Sequence, residues 1–159
     1  MTGGRISVLL VEDNRADVEL TMRALRDSGM ERDVAVLRDG AAALDFFFCR
    51  GAHEDRLFSQ PPRLVLLDLK LPKVSGLEVL RELKSDLRTR AIPVVLLTAS
   101  AETRDVAEGY RLGANSYVTK PLAFSELCST ISSLGLYWFD LNTAPPLEAF
   151  RDPIENVTS

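Results

Sequence analysis

Acidic residues follow two of the apolar runs in this sequence at the point where each run ends. Glu12 and Asp13 come directly after residues 6–11, and Asp68 comes directly after residues 64–67. If these runs are strands of a parallel sheet, their carboxyl ends meet at one edge, where such sheets bind ligands. Carboxylates that share a site repel one another and need a cation or a proton. Oxygen ligands of this kind suit Mg²⁺, so metal-assisted chemistry is predicted.

Two further groups stand at the ends of predicted strands later in the chain. Thr98 follows residues 94–97, and Lys120 comes two residues after the run 116–118. An ammonium and a hydroxyl are the groups that hold phosphoryl oxygens. Together with the carboxylates they predict an aspartate nucleophile that takes a phosphoryl group with the help of a metal.

Each of these residues also has a simpler structural interpretation. Glu12 and Asp13 could cap the first helix, and Asp68 could cap the turn after its strand. Thr98 is a residue that strands favour, and Lys120 could form a surface ion pair. It is their joint occurrence at four strand ends that favours the functional interpretation.

The elements that would position these groups alternate regularly along the chain. Segments of strand length predict five strands, at residues 6–11, 34–37, 64–68, 94–97 and 116–118. Helical spacing predicts helices at residues 16–27, 41–50 and 77–86, a fourth capped by Ser100 that reaches Leu112, and a fifth from Phe124. This alternation predicts an α/β doubly wound fold with a five-stranded parallel sheet in the order 2-1-3-4-5.

Composition excludes several classes of function. The formal net charge is −4, which argues against a nucleic-acid or anionic-membrane surface. No apolar run approaches the ~20 residues of a membrane span, and the first residues carry no secretory signal, so we expect a cytoplasmic protein. His53 is the only histidine, which argues against a histidine-based triad or a zinc site.

The segments around these groups resemble the receiver domain of two-component response regulators, which has the CheY-like (βα)5 fold. The match covers residues 6 to 136 and is carried by Val11–Asn14, Leu67–Pro72 with Gly76, Leu97–Ala99 and Tyr117–Pro121. The resemblance implies that Asp68 is the phosphoacceptor for a sensor histidine kinase. It also implies that Thr98 and Tyr117 switch on activation, that Lys120 pairs with the phosphoryl group, and that the Lys120–Pro121 peptide is cis.

The same resemblance implies a divalent metal. Asp13, Asp68 and the backbone carbonyl of Lys70 would bind Mg²⁺ (or Mn²⁺) directly, and Glu12 would act through water.

A narrower likeness, to the single-domain regulators of bacterial phytochromes, lies in residues 50–63 and 136–146. Lys70 departs from that group, which usually has Asn there, and its ammonium could reach the phosphoryl group.

Residues 137–159 form a predicted C-terminal extension beyond a receiver domain at residues 1–136. The extension is too short for an ordinary DNA-binding domain, and residues 151–159 are predicted to fray. Its dense aromatic residues need a surface to cover, either on their own domain or on a partner. We favour a homodimer formed by the last helix and the extension, through Phe124, Tyr137, Trp138 and Phe139.

Two other functions remain open on the sequence. One is a magnesium-dependent phosphohydrolase that passes through an aspartyl phosphate, but such enzymes usually carry a second Asp where this chain has Lys70. The other is a scaffold receiver that never turns over phosphate, against which the intact Asp68, Thr98 and Lys120 weigh. The leading prediction is a signalling switch that is not an enzyme beyond its own phosphorylation and dephosphorylation, in which phosphorylation of Asp68 changes a protein-interaction surface.

Overall fold

The computed structural model describes residues 6–30 and 33–151. Five strands alternate with five α-helices: β1 (Val8–Val11), α1 (Arg15–Asp27), β2 (Val34–Leu37), α2 (Gly40–Phe47), β3 (Leu64–Leu67), α3 (Gly76–Ser85), β4 (Val94–Thr98), α4 (Thr103–Arg111), β5 (Ser116–Thr119) and α5 (Phe124–Gly135). Short 3₁₀ helices cover Gly51–His53 and Leu147–Phe150, and a π-helix covers Leu136–Leu141. All strand pairs are parallel, and the order β2-β1-β3-β4-β5 confirms the predicted topology.

The strands separate two apolar layers because successive side chains point to opposite faces. Leu9 and Val11 face a layer that holds Phe46, Val79 and Leu80 from α2 and α3. The neighbouring residues Val8 and Leu10 face a second layer, built largely by α1 and α5 with Leu25, Leu127 and Ile131. The strands β1, β3 and β4, which are buried on both faces, have nearly continuous apolar sequences, which is why they could be predicted.

Strand register fixes which residues become neighbours at the carboxyl edge. Val11 is paired with Leu67, so Glu12 and Asp68 leave adjacent strands side by side. Thr98 is paired with Thr119, one residue before Lys120, and the Lys120 amide donates to the Thr98 carbonyl over 2.7 Å. The sheet therefore places the four predicted strand ends in a row.

Two predicted helix boundaries are wrong. Ser100 does not cap α4, which begins at Thr103 with Glu102 as its N-terminal cap. The Ser100 hydroxyl instead donates to the Asp105 carboxylate over 2.5 Å, a local bond that competes with capping. The second helix ends at Phe47 rather than Arg50, because Cys49 has a positive φ of 54° that a right-handed helix cannot continue through.

The C-terminal extension packs on its own domain. Helix α5 runs directly into the π-helix, where Trp138 enters the layer of α1 and α5 with 8% of its surface exposed. Phe150 reaches the other layer and is 5% exposed. Between them, the Arg63 guanidinium lies 4.8 Å from the centre of the Phe139 ring. No helix in residues 6–30 or 33–151 is long and apolar enough to cross a membrane.

Candidate functional site

The carboxyl edge of the sheet opens into a cleft of about 350 Å³. Its walls come from the loops that follow β1, β3, β4 and β5, so each predicted strand end contributes. The lining residues are Glu12, Asp13, Asn14, Asp17, Asp68, Lys70, Thr98, Ala99, Ser100 and Lys120.

Lys120 is the central cation of this cleft. Its ammonium lies 3.2 Å from a Glu12 carboxylate oxygen, 3.2 Å from one of Asp17 and 3.4 Å from one of Asp68. Only 10% of the Lys120 side chain is exposed. Burial alone would lower the pKa of Lys120, but Asp68, Glu12 and Asp17 outweigh it and raise that pKa. The ammonium is therefore charged at neutral pH and held on the carboxylates.

Asp68 and Glu12 lie at the floor of the cleft and have opposite protonation tendencies. Burial, followed by the hydrogen bond and charge of Asp68, raises the pKa of Glu12 to about 8. Burial would also raise the pKa of Asp68, but the hydrogen bond with Glu12, the charge of Lys120 and the Thr98 hydroxyl together lower it. The proton of this pair therefore resides on Glu12, and Asp68 is left as an ionised carboxylate, the form a nucleophile requires.

The loop after β3 holds Asp68 close to helix α3. A Cβ atom on Gly76 would lie 2.0 Å from the Asp68 carbonyl oxygen, so only glycine permits this approach. The Gly76 amide donates to the Leu69 carbonyl over 2.9 Å, and the Lys70 amide donates to the Asp68 carboxylate over 3.4 Å. The Lys70 side chain lies on the exposed rim.

The two residues predicted to change position on activation, Thr98 and Tyr117, lie on β4 and β5. Thr98 is 2% exposed, at the end of β4. The half-buried Tyr117 donates its hydroxyl hydrogen to the Ser100 carbonyl over 2.8 Å, which connects β5 to the loop that follows β4. The Lys120–Pro121 peptide was expected to be cis, and this expectation is wrong: the peptide is trans, the form that X–Pro bonds generally prefer.

The predicted metal ligands are present but not assembled. In residues 6–30 and 33–151, no three acidic, histidine or cysteine side chains are arranged to hold a metal ion as they stand. Asp13 is exposed at the mouth of the cleft, while Glu12 and Asp68 are drawn towards Lys120. The donor groups nevertheless fit a divalent cation. Two buried carboxyl groups share one proton, and a cation would replace that proton.

Sequence reasoning missed Asp17. It lies in the first turn of α1, where an acidic side chain is ordinarily explained by its favourable interaction with the positive end of the helix dipole. The amide of Asp17 donates to the Asn14 side chain over 3.0 Å, and the Asp17 carboxylate lies 3.2 Å from the Lys120 ammonium. No spacing rule for strand ends would have found it.

The four residues predicted at a dimer interface have different surroundings. Trp138 is buried in its own chain, and Phe139 is half-buried against Arg63. Phe124 is half-buried with the Arg23 guanidinium 4.6 Å from its ring centre. Tyr137 is 51% exposed, beside the exposed Leu136 and Leu141.

Known proteins are similar to this chain over most of its length. The family model described as the response regulator receiver domain matches residues 8–132. Over 138 residues the chain is 46% identical to the probable methanogenesis regulatory protein FilR2 of Methanothrix harundinacea strain 6Ac, covering 87% of this chain and 86% of that protein. It is 39% identical to the response regulator Rcp1 of a Synechocystis strain, covering 87% and 92%.

Solved structures extend the likeness to the fold. The Mn²⁺-bound form of Rcp1 has a TM-score of 0.78 and covers 87% of this chain and 97% of its own, at 38% identity. The phosphorylated cyanobacterial phytochrome response regulator RcpA has a TM-score of 0.80, also at 38% identity, and covers 87% and 96%. With the sheet order, the cleft and the match over residues 8–132 in agreement, this chain belongs to the response regulator receiver family and is similar to the regulators of phytochromes.

Proposed function

We propose that Asp68 is the phosphoacceptor of this receiver and that its phosphoryl donor is a sensor histidine kinase, of the phytochrome type. The observation that carries the proposal is the position of Asp68 itself. It is an ionised carboxylate, 9% exposed, at the floor of a cleft and 3.4 Å from the ammonium of Lys120. RcpA, which is similar to this chain, has been crystallised phosphorylated, and this supports the same chemistry here.

The residues of the cleft divide the transfer between them. A carboxylate oxygen of Asp68 attacks the phosphorus atom, and the bond from phosphorus to the donor nitrogen or oxygen breaks with its electron pair. Lys120 pairs with one phosphoryl oxygen, and the Thr98 hydroxyl donates to another. The lowered pKa of Asp68 keeps the attacking oxygen ionised at neutral pH.

A divalent cation, Mg²⁺ or Mn²⁺, would be held by the carboxylates of Asp13 and Asp68 and the Lys70 carbonyl, with Glu12 acting through water. When bound, it would neutralise the charge that gathers on the phosphoryl oxygens. The proposal is supported by the oxygen-only donor set of the cleft and by the Mn²⁺ bound to the related Rcp1.

Phosphorylation of Asp68 would change a protein-interaction surface of the receiver. Thr98 and Tyr117 flank the phosphorylation site on β4 and β5, and the hydroxyl of Tyr117 already reaches the Ser100 carbonyl. Movement of Thr98 towards a phosphoryl group would alter this bond and, with it, the loop between β4 and α4. We propose that the chain catalyses only its own phosphorylation and dephosphorylation, within the cytoplasm, and does not contact nucleic acid.

The direct test is incubation with Mg²⁺ and acetyl phosphate, followed by intact mass spectrometry. We expect an adduct of one phosphoryl group per chain. Steady release of product from an added phosphate ester, at many equivalents per chain, would instead support the phosphohydrolase.

Lys70 is expected to lengthen the life of the phosphorylated state. Its exposed side chain lies on the rim beside Asp68, from which the ammonium could pair with a phosphoryl oxygen and obstruct attack by water. An exposed ion pair of about 1 kcal/mol corresponds to roughly fivefold in rate, so Lys70→Asn should speed phosphoryl loss by about that factor. Decay of the phosphorylated mass after removal of acetyl phosphate measures it.

The matched control for Lys70 is Lys73→Asn. Lys73 belongs to the same loop, but its ammonium lies 3.6 Å from Asp39 and does not line the cleft. It should leave the decay unchanged. Equal decay in wild type and Lys70→Asn would contradict the role given to Lys70.

We further propose that the chain forms a homodimer through α5 and the extension. Three exposed side chains support this proposal: Leu136, Tyr137 and Leu141. Exposed apolar surface of this kind is stabilised when a partner covers it. Truncating an aromatic hot-spot residue costs more than about 1 kcal/mol, and a symmetric dimer loses two such side chains, so Tyr137→Ser should raise the dimer dissociation constant about thirtyfold. Sedimentation equilibrium measures this constant.

A point substitution is preferable to deletion of the extension, since deletion would also remove Trp138 and Phe150 from the core. Leu57→Ser is the control, because Leu57 is 56% exposed in the segment between α2 and β3. A monomeric wild type, or the same dissociation constant in wild type and Tyr137→Ser, would reject this interface.

A further inference from the structure

Asp17 is the one carboxylate on Lys120 that no step of the proposed phosphoryl transfer uses. Its oxygen lies as close to the ammonium as that of Glu12, at 3.2 Å, and slightly closer than that of Asp68, at 3.4 Å. Asp17 approaches from helix α1, whereas Glu12 and Asp68 approach from the sheet. Lys120 is therefore drawn in two directions.

The position of Asp17 is fixed by its helix. The Asn14 side chain holds the Asp17 amide, and the Asn14 amide donates to Glu12 over 3.1 Å, so the whole turn is tied to the end of β1. Further along, α1 is attached to α5 by a hydroxyl contact of 2.9 Å between Ser28 and Ser132. The backbone of Asp17 therefore cannot follow Lys120 if the ammonium moves.

A phosphoryl group on Asp68 would demand such a movement. It brings a charge of about −1.5 to −2 and three acceptor oxygens to the carboxylate. The ammonium has three donors, and in the unphosphorylated cleft three carboxyl groups already lie 3.2 to 3.4 Å from it. A phosphoryl oxygen that draws the ammonium towards Asp68 would weaken one of the other two contacts, and Asp17, which is the most exposed partner and lies off the sheet, is the one to lose it.

We propose that Asp17 is a positioning residue that competes with the phosphoryl group on Asp68 for the ammonium of Lys120. The inference rests on the proposed phosphorylation of Asp68. Its consequence is that Asp17 favours the unphosphorylated state and sets how easily the cleft accepts a phosphoryl group. Phosphorylation would release the Asp17 carboxylate at the N-terminal turn of α1.

Fluoroberyllate, which mimics a phosphoryl group on a carboxylate, tests the competition at equilibrium. Binding is titrated by calorimetry with Mg²⁺ held at saturation for each variant, after the Mg²⁺ affinity has been measured separately. We expect Asp17→Asn to bind fluoroberyllate about twofold to fivefold more tightly than wild type, the range of a partly exposed ion pair. Asp17→Glu, which retains the carboxylate, should bind close to wild type.

The control for charge alone is Glu19→Gln. Glu19 lies on the same helix but pairs with Arg15 at 3.7 Å, and its side chain is 72% exposed. Fluoroberyllate affinity that is unchanged or weaker in Asp17→Asn would overturn the inference, as would an equal gain in Glu19→Gln. A wild-type protein that fails to bind fluoroberyllate would overturn the proposed function itself, so the two failures are distinguishable.

Discussion

Asp68→Asn is expected to abolish phosphorylation by acetyl phosphate while leaving the protein folded. An amide of the same shape fits the floor of the cleft, but its oxygen is not a nucleophile that retains a phosphoryl group. Lys120 would keep its contacts with Glu12 and Asp17, so the loss of one carboxylate from a crowded group should cost little stability. Intact mass and a thermal melt measure the two effects.

Asp17→Asn is the matched control for this result, because it also removes one carboxylate from Lys120. It should still acquire one phosphoryl group, and chymotryptic peptide mapping should place that group on Asp68 in the control and in wild type. A phosphorylated adduct of Asp68→Asn of the same yield would show that another residue accepts the group.

Removal of the divalent cation is expected to have an effect of similar size. Chelation by EDTA should reduce phosphorylation to background, because the transferred group would then face the charges of Asp13 and Asp68 with only Lys120 to offset them. Added Mg²⁺ should restore the adduct.

The affinity for Mg²⁺ should also depend on pH. Burial and Asp68 raise the pKa of Glu12 from 4.5 to about 8, so below that pH the cation must displace a proton. Apparent affinity should therefore rise by up to about tenfold per pH unit towards pH 8 and level off above it. Titrations at several pH values measure this, and Glu12→Gln should flatten the dependence. Equal affinity at pH 6.5 and pH 8.5 would exclude the linked proton.

The same pKa fixes the sign of a stability effect. The folded metal-free protein binds the Glu12 proton more tightly than the unfolded chain, whose glutamate has the ordinary pKa of 4.5. This contribution is fully present below about pH 4.5 and is lost as the pH rises through about 8. Mg²⁺ should offset the loss, because it replaces the proton.

The sheet and the strand-end residues were predictable because both follow from rules that act along the sequence. Strands buried on two faces must be apolar throughout, and parallel strands must end at one edge, so Glu12, Asp68, Thr98 and Lys120 converge whatever the helices do. Only the register decides that Val11 lies beside Leu67, and thus that Glu12 and Asp68 share a proton.

Other features depend on contacts between distant segments. Asp17 has the pattern of an ordinary first-turn acid until α1 is docked on the sheet. The aromatic residues of the extension are compatible with a partner or with their own domain, and Trp138 is buried in its own domain, where it packs with residues of α1 and α5. None of these outcomes is encoded in a local pattern.

Trp138 can also serve as an intrinsic fluorescence probe. It is the only tryptophan of the chain, and it is shielded from water within the layer formed by α1 and α5. Tyr137 stacks edge-on against it, with ring centres 5.0 Å apart. Indole emission shifts to longer wavelengths when water reaches the ring, so the native fluorescence of this protein reports detachment of the extension without any attached dye.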